Sequence, residues 1–475
     1  MMLLAGLLAL PVLVGLAVFR LPSARARMAL LLATAVLHLA GCLAAWRVPC
    51  APGTGAWLGL DALGLLVLTV TSVVFLTVTV AARAFLAAHE QRGERAFTGC
   101  LFGFLAAATL VAESQHLALM WIGMEATTLA MAPLVFHSRN RRSLEAVWKY
   151  LLLSSVGIGL ALFGTFFLAA AQGEGRPLIL RDLVLHAGSL QPALLRAAFV
   201  FLLVGYGTKM GLAPLHAWKP DTYGEAPAPV AARMAGAQTS CAFLGLARAV
   251  QVMAAAHQFE FARPPLLALG LASLVVSAGF MIGQADLRRL FAYSSVEHMG
   301  LLAIALGIGG VGAFGAALHV VGNGLIKTVM FLMAGNVVLL SKTSEAAATR
   351  GLLRRAPWTS ALLVLGLFAV TGSPPFALFV SEFAVVGAAF HAGLGWLALL
   401  VVALFTVVFV AMARMLLRMV YTAPEPGAGV LAEGPALVAG PVVLTGLVLL
   451  LGLHVPGPLR AVLADAARSL GGLAP

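Results

Sequence analysis

Gly205-Tyr206-Gly207-Thr208-Lys209-Met210-Gly211-Leu212-Ala213-Pro214 breaks an apolar run that begins near residue 197. Glycine costs a helix backbone entropy, and proline removes one of its hydrogen bonds. A helix entering this stretch is therefore expected to stop or kink within it, with Lys209 beside the break. A second interruption, Thr371-Gly372-Ser373-Pro374-Pro375-Phe376, sits inside another long apolar run, and Glu382 follows it. Outward from these two points the chain reads as apolar stretches near 1–19, 28–46, 57–82, 97–112, 115–136, 147–171, 197–214, 229–254, 265–284, 290–309, 312–340, 359–390, 394–420 and 437–455. A bilayer crossing takes about 20 apolar residues. The predicted fold is all-α and polytopic, with about fourteen transmembrane helices. The breaks fall in the seventh and twelfth spans. Paired Gly/Pro breaks at corresponding places in two halves mark inverted repeats. Five spans separate them, an odd number, so equivalent helices would run in opposite directions. Gly and Pro are also common in membrane helices; the ionisable residue beside each break is what favours a functional reading.

Composition agrees. Of 475 residues, 61% are hydrophobic and 10% charged, far from the roughly 25% charge of a soluble domain. That excludes a soluble enzyme. The four cysteines, Cys42, Cys50, Cys100 and Cys241, show no metal or redox spacing. The net charge of +12 does not gather in a stripe that would hold nucleic acid; the Lys and Arg fall between apolar runs. Odd-numbered loops carry 18 of them, including Arg25, Arg92, Arg142, Lys219 and Arg354, and even-numbered loops with the tail carry 8, including Arg47, Arg196 and Arg248. Positive charge stays in the cytoplasm, so odd loops are expected inside and both termini outside. The first apolar run has no basic residues before it, unlike a signal peptide, and is expected to remain as a span.

A charge at bilayer depth is expensive and persists when paired, wetted or needed. The candidates are Glu125, Lys149, Lys209, Arg233, Glu297, His298, His319, Lys327 and Glu382. Glu125, Lys209 and Lys327 lie centrally in their spans, whereas Lys149 lies near a span start and can reach the headgroups. A static buried ion pair is the competing reading, yet such pairs stabilise poorly. Proton transfer fits better: moving Glu125 toward or away from Lys209 would decide whether the lysine keeps its proton. His298, His319 and Lys327 would extend the relay, because imidazole exchanges protons near neutrality, with Glu382 at the far end. Water in the broken helices would be ordered by freed backbone carbonyls. No dinucleotide turn, iron–sulfur cysteine cluster or Walker loop occurs, so no cofactor is expected. Lys219 is read as standing in a wet loop.

The segment Gly207 to Pro229 (Gly-Thr-Lys-Met-Gly-Leu-Ala-Pro-Leu-His-Ala-Trp-Lys-Pro-Asp-Thr-Tyr-Gly-Glu-Ala-Pro-Ala-Pro) resembles the signature of the antiporter-like subunits of respiratory complex I and membrane-bound hydrogenases. So do Asp286 to Gly300, Gly324 to Phe331, and Gly372-Ser373-Pro374-Pro375-Phe376 through Ser381-Glu382-Phe383. Glu125 to Thr128 and Ser143 to Tyr150 look most like hydrogenase-4 component F and its relatives. The resemblance covers roughly residues 60–420 and implies two inverted five-helix repeats, each with a broken helix. On it, residues 1–96 form an N-terminal three-helix segment, 97–254 the first repeat, 265–420 the second, and 421–475 a last span and tail. Gly207, Gly211 and Pro214, with Gly372, Pro374 and Pro375, become the helix-breaking residues. Glu125 and Lys209 match the Glu–Lys pair of the first half, Lys327 the central lysine of the second, and Glu382 the ionisable group on its broken helix.

There are departures. Relatives often carry a lysine where Ser240 stands here, beside Gln238 and Thr239, so water or Lys149 would have to link the halves. Asn323 occupies a place often held by histidine, with His319 one turn earlier. The chain stops soon after the fourteenth span, so the long lateral helix of the most distal complex I subunit is not expected. The resemblance implies a proton-translocating subunit, without a redox site of its own, in a complex of the hydrogenase-4/formate hydrogenlyase or NADH:quinone oxidoreductase type. Its partners would be other membrane subunits, a peripheral hydrogenase or dehydrogenase arm, and the bilayer, in a bacterial cytoplasmic membrane. A multi-subunit Na+/H+ antiporter subunit and a scaffold with an inactive channel are the alternatives.

Overall fold

A computed structural model describes residues 2–48, 53, 56–88, 94–173, 175–424 and 426–471. Cys50 and Arg92 lie outside them. The helices in chain order are α1 (Met2–Val18), α2 (Ala24–Ala45), α3 (Ala62–Ala88), α4 (Glu94–Glu113), α5 (Leu117–Val135), α6 (Arg141–Gln172), α7 (Leu180–Leu185), α8 (Pro192–Met210), α9 (Trp218–Glu225), α10 (Ala228–Arg233), α11 (Thr239–Ala255), α12 (Phe259–Ile282), α13 (Leu287–Ile308), α14 (Val311–Ser341), α15 (Leu352–Arg355), α16 (Pro357–Val370), α17 (Ala377–His391), α18 (Gly395–Tyr421), α19 (Pro435–Leu453) and α20 (Gly457–Ser469). Among the described residues 11 helices are long and apolar enough to cross a membrane. The other predicted spans are met by α1, by the broken pair α16–α17, and by α10 and α11, which a π-helical turn at Met234–Gln238 joins into one rod.

Local chemistry sets the helix starts. The Asn140 side chain accepts from Ser143 N–H while Ser143 reaches back to the Asn140 backbone, so α6 begins at Arg141, earlier than hydropathy suggested. Asp286 accepts from the backbone of Arg288 and Arg289 and opens α13. Pro192 stands at the first position of α8, where a missing N–H costs nothing.

Both breaks form as predicted. Helix α8 ends at Met210; Gly211 has φ +82°, and its N–H and that of Leu212 bond to Gly207 O. The chain resumes as α9 at Trp218, whose indole donates to Thr208 O at 2.9 Å, tying the new segment to the old. Helix α16 ends at Val370, Gly372 has φ +62°, and Ser373 N–H bonds to Phe368 O before α17 begins at Ala377. Helices α13 and α14 are almost wholly buried and occupy the centre. At Gly236 and Gly324 the bulged α10–α11 rod meets α14 backbone to backbone; a Cβ on Gly324 would lie 3.1 Å from Gly236 O. Helices α2, α18 and α19 are largely exposed on the perimeter, where lipid would lie.

Two expectations change. Lys219 is not in a wet loop: it lies in the first turn of α9, fully buried, and donates to Met210 O at 2.6 Å. The helix restarts sooner than the prolines imply, and the ammonium caps the carbonyl end of α8. Arg248, counted with a loop, is buried in α11, donates to Ser114 O and Ala112 O, and pairs with Asp61 at 3.4 Å. Each side of the loop count loses one charge, so the bias stands.

Candidate functional site

Lys209 is the last but one residue of α8, and its ammonium is fully buried. It donates to Thr128 Oγ1 of α5 at 2.5 Å and to Tyr150 Oη of α6 at 3.4 Å, and stands 4.9 Å from the Tyr150 ring centroid. Thr128 in turn donates to Glu125 Oε2 at 3.3 Å. Glu125 and Lys209 are therefore joined through a hydroxyl rather than by direct contact. Glu125 is half-buried, and its other oxygen accepts from Ser155 of α6 at 3.0 Å; Ser155 is exposed on the outer surface between α5 and α6. Gln238, at the end of the π-helical turn, donates to Tyr150 Oη at 2.8 Å and to Thr127 Oγ1 at 3.3 Å. The bulge brings Gln238 to this cluster, close to where Ser240 left a lysine missing. Ser240 itself donates to Gly236 O within its own helix.

The second cluster is closed. Lys327 of α14 donates to Ser294 Oγ of α13 at 2.5 Å, and Ser294 donates to Glu297 Oε2 at 3.4 Å. His298 Nδ1 lies 3.0 Å from His319 Nε2, and His319 Nδ1 lies 2.9 Å from Ser381 Oγ. His298 Nδ1 also lies 4.0 Å from Glu382 Oε1. Glu382 is packed against the second break, where any side chain on Gly372 would collide with its carboxylate. Lys327, Glu297, His298, His319, Ser381 and Glu382 are all buried. The three ligand atoms of His298, His319 and Glu382 lie within 4.8 Å of one another, close enough to share a cation or a proton.

Between the clusters lie Lys219, which also reaches Ser295 O at 3.5 Å, and the buried hydroxyls of Tyr223 and Ser295, with the Asn323 amide in α14 nearby in sequence to Lys327. Neither hydroxyl, nor either polar atom of the Asn323 side chain, has a well-formed hydrogen bond among the described residues. Buried polar groups are rarely left unsatisfied without ordered water.

Not every candidate joins the line. Lys149 is 43% exposed and pairs with Glu145 and with Asp221 at 2.7 Å, while Asp221 also binds Arg289 at 2.7 Å. The structure thus leaves it outside the buried line, and Gln238 instead faces the first cluster. Arg233 is buried between Phe75 and Phe104, its guanidinium 4.4 Å and 5.6 Å from their ring centroids. Tyr150, Ser294 and Ser381 were missed in the sequence. Only their helical spacing from a neighbouring charge could have found them.

Comparison with known proteins bears on these clusters. The profile described as "NADH:quinone oxidoreductase/Mrp antiporter, TM" matches residues 114–409, which include every residue of both clusters. A hydrogenase-4 component F homolog from Methylacidiphilum infernorum is 39% identical over 300 residues, 62% of each chain; the chain thus spans about three fifths of that relative. NADH-quinone oxidoreductase subunit N from Laribacter hongkongensis is 31% identical over 71% of this chain and 68% of its own. Among solved structures, a chain of respiratory complex I from Thermus thermophilus superposes with a TM-score of 0.79 at 26% identity, covering 94% of this chain and 97% of that one. The fold is that of membrane subunits found inside multi-subunit complexes. With its broken helices, its buried lysines and this match, the chain belongs to the NADH:quinone oxidoreductase/Mrp antiporter transmembrane family, as an antiporter-like membrane subunit.

Proposed function

We propose that this chain carries protons across a bacterial cytoplasmic membrane as a subunit of a hydrogenase-4 or NADH:quinone oxidoreductase type complex. Redox chemistry in partner subunits drives it, and the chain supplies no redox centre. The partners are other membrane subunits and a peripheral hydrogenase or dehydrogenase arm. In this reading residues 97–254 and 265–420 act as two inverted repeats, odd loops face the cytoplasm, and both termini lie outside.

One observation carries the proposal: two buried lysines, each held by a hydroxyl whose other neighbour is a carboxylate, Lys209–Thr128–Glu125 and Lys327–Ser294–Glu297. A hydroxyl both accepts and donates, so it can pass a proton between amine and acid without moving either helix. A change in charge next door shifts which partner holds the proton, because Coulomb forces act strongly in a low dielectric. In the second half the His298–His319 pair continues the line to Ser381 and Glu382. The unpartnered atoms of Tyr223, Ser295 and Asn323 are where ordered water would join the halves.

The test is proton uptake by the purified complex in sealed vesicles during turnover. Lys209→Met is expected to leave the complex assembled and redox-active and to abolish uptake. Unchanged proton stoichiometry in that variant refutes the relay. A second reading, a subunit of a Na+/H+ antiporter, is favoured by the breadth of the matching family, which includes Mrp antiporters. Sodium-dependent proton release without any redox donor would select it.

A further inference from the structure

Helices α2, α3 and α4 hold a second set of polar groups that the line above does not use. His38 Nδ1 lies 2.9 Å from Ser72 Oγ, and His38 Nε2 lies 2.9 Å from Thr109 Oγ1. All three are buried. Each hydroxyl also donates to a carbonyl one turn earlier in its own helix: Ser72 to Leu68 O and Thr109 to Leu105 O, both at 2.8 Å. A hydroxyl has one proton to give. If both hydroxyls face their carbonyls, both ring nitrogens must donate, and His38 is an imidazolium. If the ring is neutral, one hydroxyl must turn from its carbonyl to donate to the bare nitrogen. Every gain or loss of a proton at His38 is therefore tied to rotation of a hydroxyl, the elementary step of proton conduction along a hydrogen-bonded chain.

The set has an acid at one end. Glu113 lies four residues beyond Thr109 on α4, hence on the same helix face. It is fully buried, and neither carboxylate oxygen has a hydrogen-bond partner among the described residues. An unpaired buried carboxylate is costly, and a nearby imidazolium would offset its charge. Glu113 sits at the even-loop end of α4, where Arg248 is bonded to the carbonyls of its neighbours Ala112 and Ser114. At the other end α3 packs on the centre of the protein: a Cβ on Gly324 would meet Val70 at 2.6 Å, and one on Gly236 would meet Val74 at 3.2 Å. Thr71, between Val70 and Ser72, has a buried hydroxyl with no well-formed hydrogen bond among the described residues.

We propose that Ser72, His38, Thr109 and Glu113 form a separate proton branch, joining the centre of the bundle to the even-loop face through the N-terminal three helices. The branch rests on the proton-translocating reading. A proton accepted at His38 Nδ1 from the Ser72 side is matched by one released from Nε2 through Thr109 to Glu113, so the ring returns to its starting charge and no further reactant is needed.

The test uses the complete complex in vesicles, with Lys209→Met as a silent control. His38→Leu and Thr109→Val are expected to lower proton uptake without changing the redox rate under uncoupled conditions, and Glu113→Gln to do the same. Thr109→Ser keeps the hydroxyl and is expected to restore uptake, which a purely structural role for residue 109 would not require. Wild-type uptake in both His38→Leu and Thr109→Val, with Lys209→Met silent, overturns the branch and leaves the main relay standing. If Lys209→Met also pumps normally, both fall. Should His38→Leu fail to assemble, the Thr109→Val and Thr109→Ser pair decides alone: equal uptake in the two overturns the branch.

Discussion

The two lysine clusters share one plan and differ in enclosure. In each, a lysine gives a short hydrogen bond to a hydroxyl, and a carboxylate stands on the hydroxyl's other side. Around Lys209 the acid is half-buried and bonded to Ser155 on the outer surface. Around Lys327 every member is buried, and two imidazoles extend the line to Glu382 at the second break. The lysines are also placed differently: Lys209 ends a helix, whereas Lys327 lies within α14. A cluster open at its edge suits exchange with a neighbouring subunit or with water outside the bundle. A sealed cluster suits passage between fixed stations. The same chemistry in two settings would let one half respond to a neighbour while the other carries the proton through.

Three substitutions sharpen that contrast, beginning with the largest effect. Lys209→Met and Lys327→Met are each expected to abolish proton uptake in an assembled complex; pumping that survives only the second would show that the halves are not in series. Next comes Lys219→Leu. It strips Met210 O of its partner, and leaving a buried polar group unmade costs about 1–3 kcal/mol. Lower thermal stability and impaired uptake are expected together, and wild-type behaviour in both assays would show that the end of α8 needs no cap. Thr128→Val tests the hydroxyl bridge alone. It nearly preserves shape, so the complex is expected to assemble with uptake reduced by about tenfold, equivalent to about 1.4 kcal/mol, while Thr128→Ser retains function. Equal rates in Val and Ser variants would mean that Glu125 reaches Lys209 without the bridge.

The sequence showed the charges and breaks and hid their connections. Glu125, Lys209, Lys327 and Glu382 were legible because a charge inside an apolar run is expensive and therefore conspicuous. The breaks at Gly211 and Gly372 were legible because positive φ and close contact both favour glycine. Tyr150, Ser294 and Ser381 were not, since serine and tyrosine are ordinary in membrane helices and only the packing of two helices shows what they touch. Lys219 was misread because Pro220 suggested a loop; proline is tolerated in the first turn of a helix, and α9 begins at Trp218. Gln238 reaches Tyr150 from a π-helical turn, which leaves no simple mark in hydropathy.

Lys149 gives the smallest expected effect and the cleanest check on where the first cluster ends. A lysine near the start of a span beside Tyr150 looks in sequence like part of the relay or a substitute for the missing lysine at Ser240. In the folded chain Lys149 instead shares Asp221 with Arg289 and also pairs with Glu145, on the rim of α6 and α9. Half-exposed ion pairs contribute at most about 1 kcal/mol and weaken with salt. Lys149→Ala is therefore expected to leave proton uptake within about a factor of two of wild type, with a slight loss of stability that high salt erases. A collapse of uptake that salt does not change would bring Asp221 and Arg289 into the pathway and extend the open cluster to the rim of the protein.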